Sequence, residues 1–255
     1  MSFVFDIETL ALGRDRLAGL FEPKQAAPPE PQPFDPATVK YGNMKDPAKR
    51  AAKLEDAEGR WNAEQQEIGK KYETGVAEEF DRFCADAALS PVTSSVAIVA
   101  YHGVESGKTL LMDIEATDER QMLASLWSKC TECRNEGGKI FTVNGHDFDL
   151  PYCCQRSWIL TVEVPDWVIE KNRYWSPAFV DLRRVWQCGK YGGGGAAAKS
   201  SFSWLAKAFG TEGKPDGVDG SMFGEMWVND REAARAYARS DVEQPAVWAK
   251  KMGVI

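Results

Sequence analysis

The sequence has no stretch of about 18 or more apolar residues, and this absence argues against a membrane-spanning helix. No charged leader with a hydrophobic region precedes the first strand-like run, which begins at Phe3, so a signal peptide is not expected. We therefore predict a soluble, cytoplasmic protein. A basic excess is also missing, because the formal net charge is −7. That charge argues against a protein that coats duplex nucleic acid through a basic surface, although acidic metal ligands inflate the negative count.

The six cysteines lack the spacing of a zinc finger. Cys130 and Cys133 form a C-x-x-C pair, but no second pair follows at the required distance. Cys153 and Cys154 are adjacent, which suits neither a tetrahedral metal site nor an easy mutual disulfide. Reduced thiols are therefore favoured over structural zinc.

At 255 residues, 44% of them hydrophobic, the chain has room for one large domain or one domain with an insertion. Six of its thirteen prolines lie in Pro23–Pro36, which excludes a helix or strand through that stretch. Asp46 followed by Pro47 then predicts the start of a long helical pattern. Within it, Gly59, Gly69 and Gly75 predict breaks, so we expect two or three helices there.

The second half of the chain alternates between strand and helix patterns. The two strands of a hairpin are predicted at Ser95–Tyr101 and Thr109–Ile114. A helix is predicted at Asp118–Arg134, and a further strand at Lys139–Asn144. A further helix is predicted from Asp149, and a last one runs to Lys251 with Asn229 as its N-cap. This order predicts an α/β fold in which helices pack on a mixed sheet.

Two carboxylates lie on the first predicted strand. Because side chains alternate along a strand, Asp6 and Glu8 project to the same side of the sheet. Two carboxylates that face one way at the end of a buried strand repel each other, and a divalent cation between them would offset that repulsion. The alternative for this pair alone is a strand end that has reached solvent.

A second polar segment, from Asn144 to Pro151, follows a later strand. Polar loops at the carboxyl ends of strands are where α/β sheets build their sites. Asp147 and Asp149 are both available there as metal ligands. Ordinary helix capping by either aspartate is the alternative.

The third signal lies in the last predicted helix. The i, i+4 spacing places the Tyr237 hydroxyl and the Asp241 carboxylate on one face, one turn apart. Such an aspartate can ligate a metal while the phenol orients a water. An amphipathic surface helix with a snorkelling tyrosine is the alternative.

Together and in this order, D-x-E, N-x-x-x-F-D-x-P and Y-x-x-x-D resemble the three exonuclease motifs of the DEDD superfamily. The resemblance is closest to the proofreading exonuclease domain of family B DNA polymerases and to the free-standing predicted bacterial and phage exonucleases related to it. It implies a ribonuclease H-like α/β fold, with a mixed sheet flanked by helices, in a single exonuclease domain over residues 1–255. Residues 23–89 would be a Pro-rich and helical insertion after the first strand.

The resemblance also implies two divalent ions, Mg²⁺ or Mn²⁺, as cofactors. By this resemblance Asp6 bridges the two ions. Glu8 and Asp241 ligate the ion that activates water, and Asp149 holds the second ion.

Tyr237 assigns the chain to the tyrosine branch of the superfamily. The other branch has a histidine five residues before the last aspartate, where this chain has Ala236. The resemblance implies that Tyr237 positions the attacking water or accepts its proton.

Substrate-binding roles are expected for Thr9, Asn144 and Phe148. The alternatives are that Asn144 fixes its loop and that Phe148 is a fold residue. Whether Asp147 or His146 assists at the site stays open, with loop capping favoured for His146.

The implied function is 3′–5′ hydrolysis of phosphodiester bonds at single-stranded 3′ ends, DNA being favoured, with a replication or repair protein as a further partner. A ribonuclease of the same fold and a catalytically inactive nucleic-acid-binding module are the alternatives. No membrane partner is expected.

Several other features suggest substrate contacts less directly. Gly193–Ser200 nearly matches a phosphate-binding P-loop, but Ala198 replaces the glycine that this motif needs, so a flexible loop near the substrate is favoured. Lys190, Tyr191 and Lys199 are candidates for phosphate contacts in that loop. Arg183, Arg184 and Arg239 are candidates for contacts with the nucleic-acid backbone, but ordinary solvated charge is favoured for these arginines. Among Trp158, Trp167, Trp175, Trp186 and Trp204, most are expected to pack in the protein and one or two at most to lie near the substrate.

Overall fold

The computed structural model describes residues 1–170, 174–188, 199–214 and 220–255. The chain divides into two compact units, one formed by Met1–Leu12 with Ala87–Ile255 and the other by Gly13–Asp86. Among the helices within the described ranges, none is long and apolar enough to cross a membrane.

The unit Gly13–Asp86 consists of two helices, α1 (Arg14–Ala18) and α2 (Pro47–Asp86), joined by a long connection. Residues 23–35 form neither helix nor strand, as their prolines predict. The helix start at Pro47 is also confirmed, and the Asp46 carboxylate accepts a hydrogen bond from the Ala48 amide. That this region is an insertion over residues 23–89 of a single exonuclease domain stays a prediction.

The predicted breaks in α2 are wrong, because α2 is one helix of 40 residues. Each interior glycine costs only about 1 kcal/mol relative to alanine, and contacts along the helix offset that cost. Phe21 packs on Phe80 and Phe83 at ring-centroid distances of 5.2 and 5.5 Å. Phe34 packs on Trp61 at 6.2 Å. Tertiary packing therefore overrides the local preference of the glycines.

The larger unit holds all the strands of the described chain. They are β1 (Phe3–Ala11), β2 (Ser94–Gly103), β3 (Thr109–Asp113), β4 (Ile140–Thr142), β5 (Ile169–Glu170), β6 (Tyr174–Trp175) and β7 (Phe179–Asp181). Its helices are α3 (Glu119–Asn135), α4 (Asp149–Ile159), α5 (Leu182–Trp186), α6 (Phe202–Phe209), α7 (Phe223–Asn229) and α8 (Arg231–Met252).

Five strands form one mixed sheet in the order β3-β2-β1-β4-β7, and β5 and β6 form a separate two-stranded sheet. The pairs β1–β2 and β2–β3 are antiparallel, whereas β1–β4 and β4–β7 are parallel. The predicted hairpin, the helix after it and the strand that follows are all present. The protein therefore has the predicted α/β, ribonuclease H-like architecture, a mixed sheet flanked by helices.

The sheet separates two apolar clusters, and alternation along β1 assigns its residues to one or the other. Phe3, Phe5 and Ile7 pack into the cluster that includes α3 and α4. Val4 packs into the cluster that includes α7 and α8. The even-numbered positions of β1 therefore face α8, and this placement brings the first and last motifs together.

The N-cap of the last helix differs from the predicted one by one residue. Asn229 ends α7, a helix that the sequence pattern did not indicate, and Asp230 is the N-cap of α8. The Asp230 carboxylate accepts a hydrogen bond from the Ala233 amide at 3.0 Å. The helix itself is confirmed and ends at Met252.

Candidate active site

Strand β1 lies between β2 and β4 and delivers two acidic side chains to the face covered by α8. Asp6 and Glu8 follow Val4 at alternate positions, so they lie on the same face as that buried valine. The pairing of β1 with β2 shifts register directly after Glu8, as at a β-bulge, and such irregularities often re-aim side chains near sites.

Helix α8 supplies a third carboxylate to this face. One carboxylate oxygen from each of Asp6, Glu8 and Asp241 lies within 4.8 Å of the other two. Oδ1 of Asp241 is buried and has no hydrogen-bond partner in the part of the chain that the structure describes. Three such oxygens form a donor set that suits a hard divalent cation.

The electrostatics of this cluster are those of crowded acids, two of them buried and Asp6 partly buried. Burial raises the pKa of Asp6, and the neighbouring charges of Asp149 and Glu8 raise it further. Burial also raises the pKa of Glu8, with Asp241 as the next cause. These carboxylates repel one another when they are ionised, so a bound cation would stabilise them.

Asp149 is the first residue of α4 and is buried beside the cluster rather than within its closest group. Its Oδ1 accepts a hydrogen bond from the Ile7 amide of β1 at 3.2 Å. Burial raises the pKa of Asp149 to about 7 despite that hydrogen bond, and the charges of Asp181 and Asp241 contribute. The structure thus brings Asp149 next to Asp6, with one carboxylate oxygen directed at the strand backbone.

Asp147, the neighbour that could have replaced Asp149, points elsewhere. Its side chain is 60% exposed and forms an ion pair with Arg184 at 2.5 Å. It is not part of the three-carboxylate group. Of the two aspartates in this loop, Asp149 is the one that the fold places at the site.

The other residues of this loop are held by protein contacts. Asn144 has a left-handed backbone (φ 67°), and its Oδ1 accepts a hydrogen bond from the Arg183 guanidinium at 2.6 Å. The His146 carbonyl accepts from the Trp175 indole at 3.0 Å. These contacts favour a loop-fixing role for Asn144, and its predicted contact with substrate stays a prediction.

The two remaining residues predicted to bind substrate are also packed in the protein. Phe148 is half-buried and packs on Tyr152, with ring centroids 5.7 Å apart. The Thr9 hydroxyl donates to the Ala88 carbonyl at 2.7 Å and is largely shielded from solvent. Their positions beside the cluster are compatible with substrate contacts, which stay predictions.

Asp181 supports the loop and was missed by the sequence analysis. Its buried carboxylate accepts hydrogen bonds from the backbone amides of Asn144 and His146 and caps α5 through Arg183 and Arg184. The only signal in the sequence was an aspartate before a short helical pattern, which indicates a cap but not a long-range contact. Asp181 thereby joins β7, α5 and the loop that leads to Asp149.

Lys214 is the second residue that the sequence analysis missed. Its ammonium donates hydrogen bonds to the Tyr237 hydroxyl and, at 2.8 Å, to Oδ2 of Asp241. Burial by itself would lower the pKa of Lys214, but Asp241 and Tyr237 raise it above its usual range. The site therefore contains a charged lysine among its acids, and no local pattern around Lys214 indicates this.

Tyr237 lies one turn before Asp241 on α8, as predicted. Burial raises the pKa of Tyr237, and the charges of Asp241 and Glu8 act in the same direction. The phenol is therefore protonated at neutral pH. It can orient a water molecule by hydrogen bonding.

The other residues that the sequence analysis singled out lie partly in the core and partly at the surface. Trp167 stacks on Phe179 and Trp175 bonds to the loop, whereas Arg239 is exposed on α8. All six cysteines are free, and those in the C-x-x-C and C-C pairs are buried in the core. Lys190, Tyr191 and most of the P-loop-like run lie outside the described residues.

The chain matches a protein-family model. The model of a family described as predicted 3′–5′ exonucleases related to the exonuclease domain of PolB matches residues 83–250. The matched region contains Asp149, Tyr237 and Asp241, while Asp6 and Glu8 precede it. No curated protein matches the chain.

Proposed function

Because the chain belongs to the family of predicted 3′–5′ exonucleases related to the exonuclease domain of PolB, we propose that it is a metal-dependent 3′–5′ exonuclease acting on single-stranded ends, with DNA as the favoured substrate. The observation that carries the metal dependence is the convergence of Asp6, Glu8 and Asp241 from two separate elements to within 4.8 Å. Such a group of acids is costly in the absence of a cation.

We assign the metal ligands by combining this geometry with the motif pattern. Asp6, Glu8 and Asp241 would hold the ion that activates water, and Asp6 and Asp149 would hold a second ion. A pair of divalent ions about 3.5–4 Å apart stabilises charge on the attacking and leaving oxygens of a phosphodiester. Asp149 acts from a fixed position, because its hydrogen bond to the Ile7 amide ties α4 to β1.

We propose that Tyr237 orients the attacking water and that the protein belongs to the tyrosine branch of the DEDD superfamily, as the motif resemblance implies. Since its pKa is raised, the phenol acts through its hydrogen bonds rather than as a phenolate base. Lys214 bonds both Tyr237 and Asp241, so it holds the phenol at a fixed position relative to that ligand. We propose that Lys214 is a positioning residue for Tyr237.

Substitution of Lys214 by methionine should lower kcat by about 10- to 100-fold, the range typical for the loss of an outer-sphere partner. The same change should strengthen Mn²⁺ binding, because it removes a positive charge from the acidic group. Steady-state kinetics and calorimetric Mn²⁺ titration measure the two effects. Lys108→Met, at an exposed turn lysine, is the control. Unchanged turnover, or weaker Mn²⁺ binding, would contradict the positioning role.

The proposed activity is tested with oligonucleotides labelled at one end. In Mn²⁺, a 5′-labelled DNA strand should give a ladder of progressively shorter products, and a 3′-labelled strand should release labelled mononucleotide first. EDTA should stop both reactions. Faster degradation of a matched RNA would favour the ribonuclease alternative. Tight binding without shortening of any strand would favour an inactive binding module.

The setting of this activity is a further proposal. The sequence predicts a cytoplasmic protein, and an exonuclease that acts on 3′ ends is suited to a replication or repair partner that exposes such ends.

A further inference from the structure

An exposed surface formed by α5, α6 and a lysine that precedes α6 combines aromatic rings with basic side chains. It consists of Trp186, Trp204, Lys199 and Lys207, and we call it the tryptophan–lysine surface. The two tryptophans are 39% and 43% exposed. The ammonium groups of Lys199 and Lys207 lie 5.2 and 5.3 Å from the centroid of the Trp204 ring. This local concentration of positive charge contrasts with the net charge of −7 for the whole chain.

The surface rests on a packed base. The Trp186 ring contacts Phe209 edge-on at 5.5 Å, and Phe209 in turn stacks on the fully buried Trp248. The Trp186 indole donates a hydrogen bond to the Lys199 carbonyl at 3.2 Å, which fixes the backbone of that lysine. The Trp186 ring is therefore held by the core rather than by solvent-exposed contacts alone.

The elements that carry this surface also contact the candidate active site. Phe202, the first residue of α6, lies 5.1 Å from the ammonium of Lys214, which bonds Tyr237. On α5, Arg183 bonds both Asn144, in the loop before α4, and Ser200, which follows Lys199. Two separate sets of contacts thus connect the elements that carry the surface to the candidate active site.

We propose that the tryptophan–lysine surface binds the single-stranded nucleic acid on the 5′ side of the nucleotide to be removed. Bases stack on the Trp204 and Trp186 rings, and Lys199 and Lys207 contact phosphates. An aromatic platform flanked by cations is the arrangement by which proteins bind single strands without sequence preference. The proposal rests on the exonuclease function, because that function brings a strand to the adjacent site.

Binding is measured by fluorescence anisotropy of a labelled DNA strand of about 12 nucleotides, a length in the range of single-strand binding sites. EDTA is present, so that neither hydrolysis nor metal ions contribute. Trp204→Ala should weaken binding about 10-fold, equivalent to about 1.4 kcal/mol of base stacking. The matched control is Trp158→Ala, which removes a tryptophan that is 58% exposed on α4. It should leave the affinity unchanged.

A second pair of variants tests the phosphate contacts independently of the tryptophans. Lys207→Gln should reduce the slope of log affinity against log salt by about 0.7, as expected for the loss of one contact to a single strand. Lys108→Gln should leave the slope unchanged. Circular dichroism confirms folding, and the lysine pair decides the question if Trp204→Ala does not fold.

The outcomes separate this proposal from the proposed activity. Equal affinities for wild type and Trp204→Ala, an equal loss in Trp158→Ala, or no binding of the strand would each overturn the surface while leaving nucleotide release in Mn²⁺ untouched. Polyglutamate and unlabelled DNA are compared as competitors of the labelled strand. If polyglutamate displaces the strand at the same concentration as unlabelled DNA does, the surface binds an acidic protein instead. Conversely, strand binding that depends on Trp204 without any 3′ shortening would overturn only the exonuclease.

Discussion

Asp6→Asn is expected to lower the Mn²⁺-dependent release of 3′ nucleotides by about 10³-fold or more, since metal ions supply several kcal/mol of transition-state stabilisation. The substitution removes one carboxylate from a group of three whose oxygens lie within 4.8 Å. It is also nearly isosteric, so β1 should keep its place between β2 and β4. Because burial raises the pKa of Asp6, removing this carboxylate should not lower the stability of the metal-free protein at neutral pH. Loss of activity with an unfolding temperature in EDTA at or above that of wild type would then report a lost ligand rather than a lost fold.

The matched control is Asp147→Asn, which makes the same chemical change in the loop before α4. Asp147 is exposed and paired with Arg184, and exposed pairs contribute at most about 1 kcal/mol. Turnover should therefore stay within about twofold of wild type, and calorimetry should show Mn²⁺ binding lost only in Asp6→Asn. Equal losses in both variants, or full activity in Asp6→Asn, would refute the assignment of Asp6 as a ligand.

The part of the site that sequence analysis predicted is the part that regular geometry determines. Alternation along a strand places Asp6 beside Glu8, and the i, i+4 relation on a helix places Tyr237 beside Asp241. Neither rule brings the two elements together. Their meeting was predicted only from the order of the motifs in the chain. In the structure, β1 and α8 meet because α8 covers one face of β1.

The residues that sequence analysis missed act through contacts between distant segments. Lys214 reaches Tyr237 and Asp241 from an irregular position after α6, and Asp181 reaches the Asn144 amide from the end of β7. No periodicity links such positions, because a loop has no fixed side-chain direction. The continuity of α2 through Gly69 was mispredicted for a related reason, since packing on distant aromatic rings offset a local preference.

The metal-free protein is expected to lose stability as the pH rises from about 4 to about 8. Burial raises the pKa of Asp149 from 3.8 to about 7, so the folded state binds a proton that the unfolded chain has already released. For an acid with a raised pKa, stability is fully present below the unfolded pKa and is lost as the pH rises through the folded value. One pKa unit corresponds to about 1.4 kcal/mol, so the loss is on the order of a few kcal/mol.

Thermal unfolding of wild type and Asp149→Asn in EDTA across this pH range separates the contribution of Asp149 from that of Asp6 and Glu8, whose pKa values burial also raises. Asparagine keeps an acceptor for the Ile7 amide but cannot ionise, so Asp149→Asn should be the more stable protein at pH about 8. Burial lowers the pKa of His102 and His146, and their titration acts in the opposite direction, but both proteins carry it equally. A parallel decline in the two proteins would exclude Asp149 as the source.

Divalent ions should reverse this pH dependence, because they bind the ionised carboxylates of the folded state. At a concentration about 100-fold above its dissociation constant, Mn²⁺ should add about 2.7 kcal/mol of stability at pH 8 and much less at pH 4, where protons compete for the same oxygens. Asp6→Asn should lose most of this gain, whereas Asp147→Asn should keep it. Stabilisation by Mn²⁺ that is equal at both pH values would place the ion away from these buried acids, because only ligands that titrate between the two values give a difference.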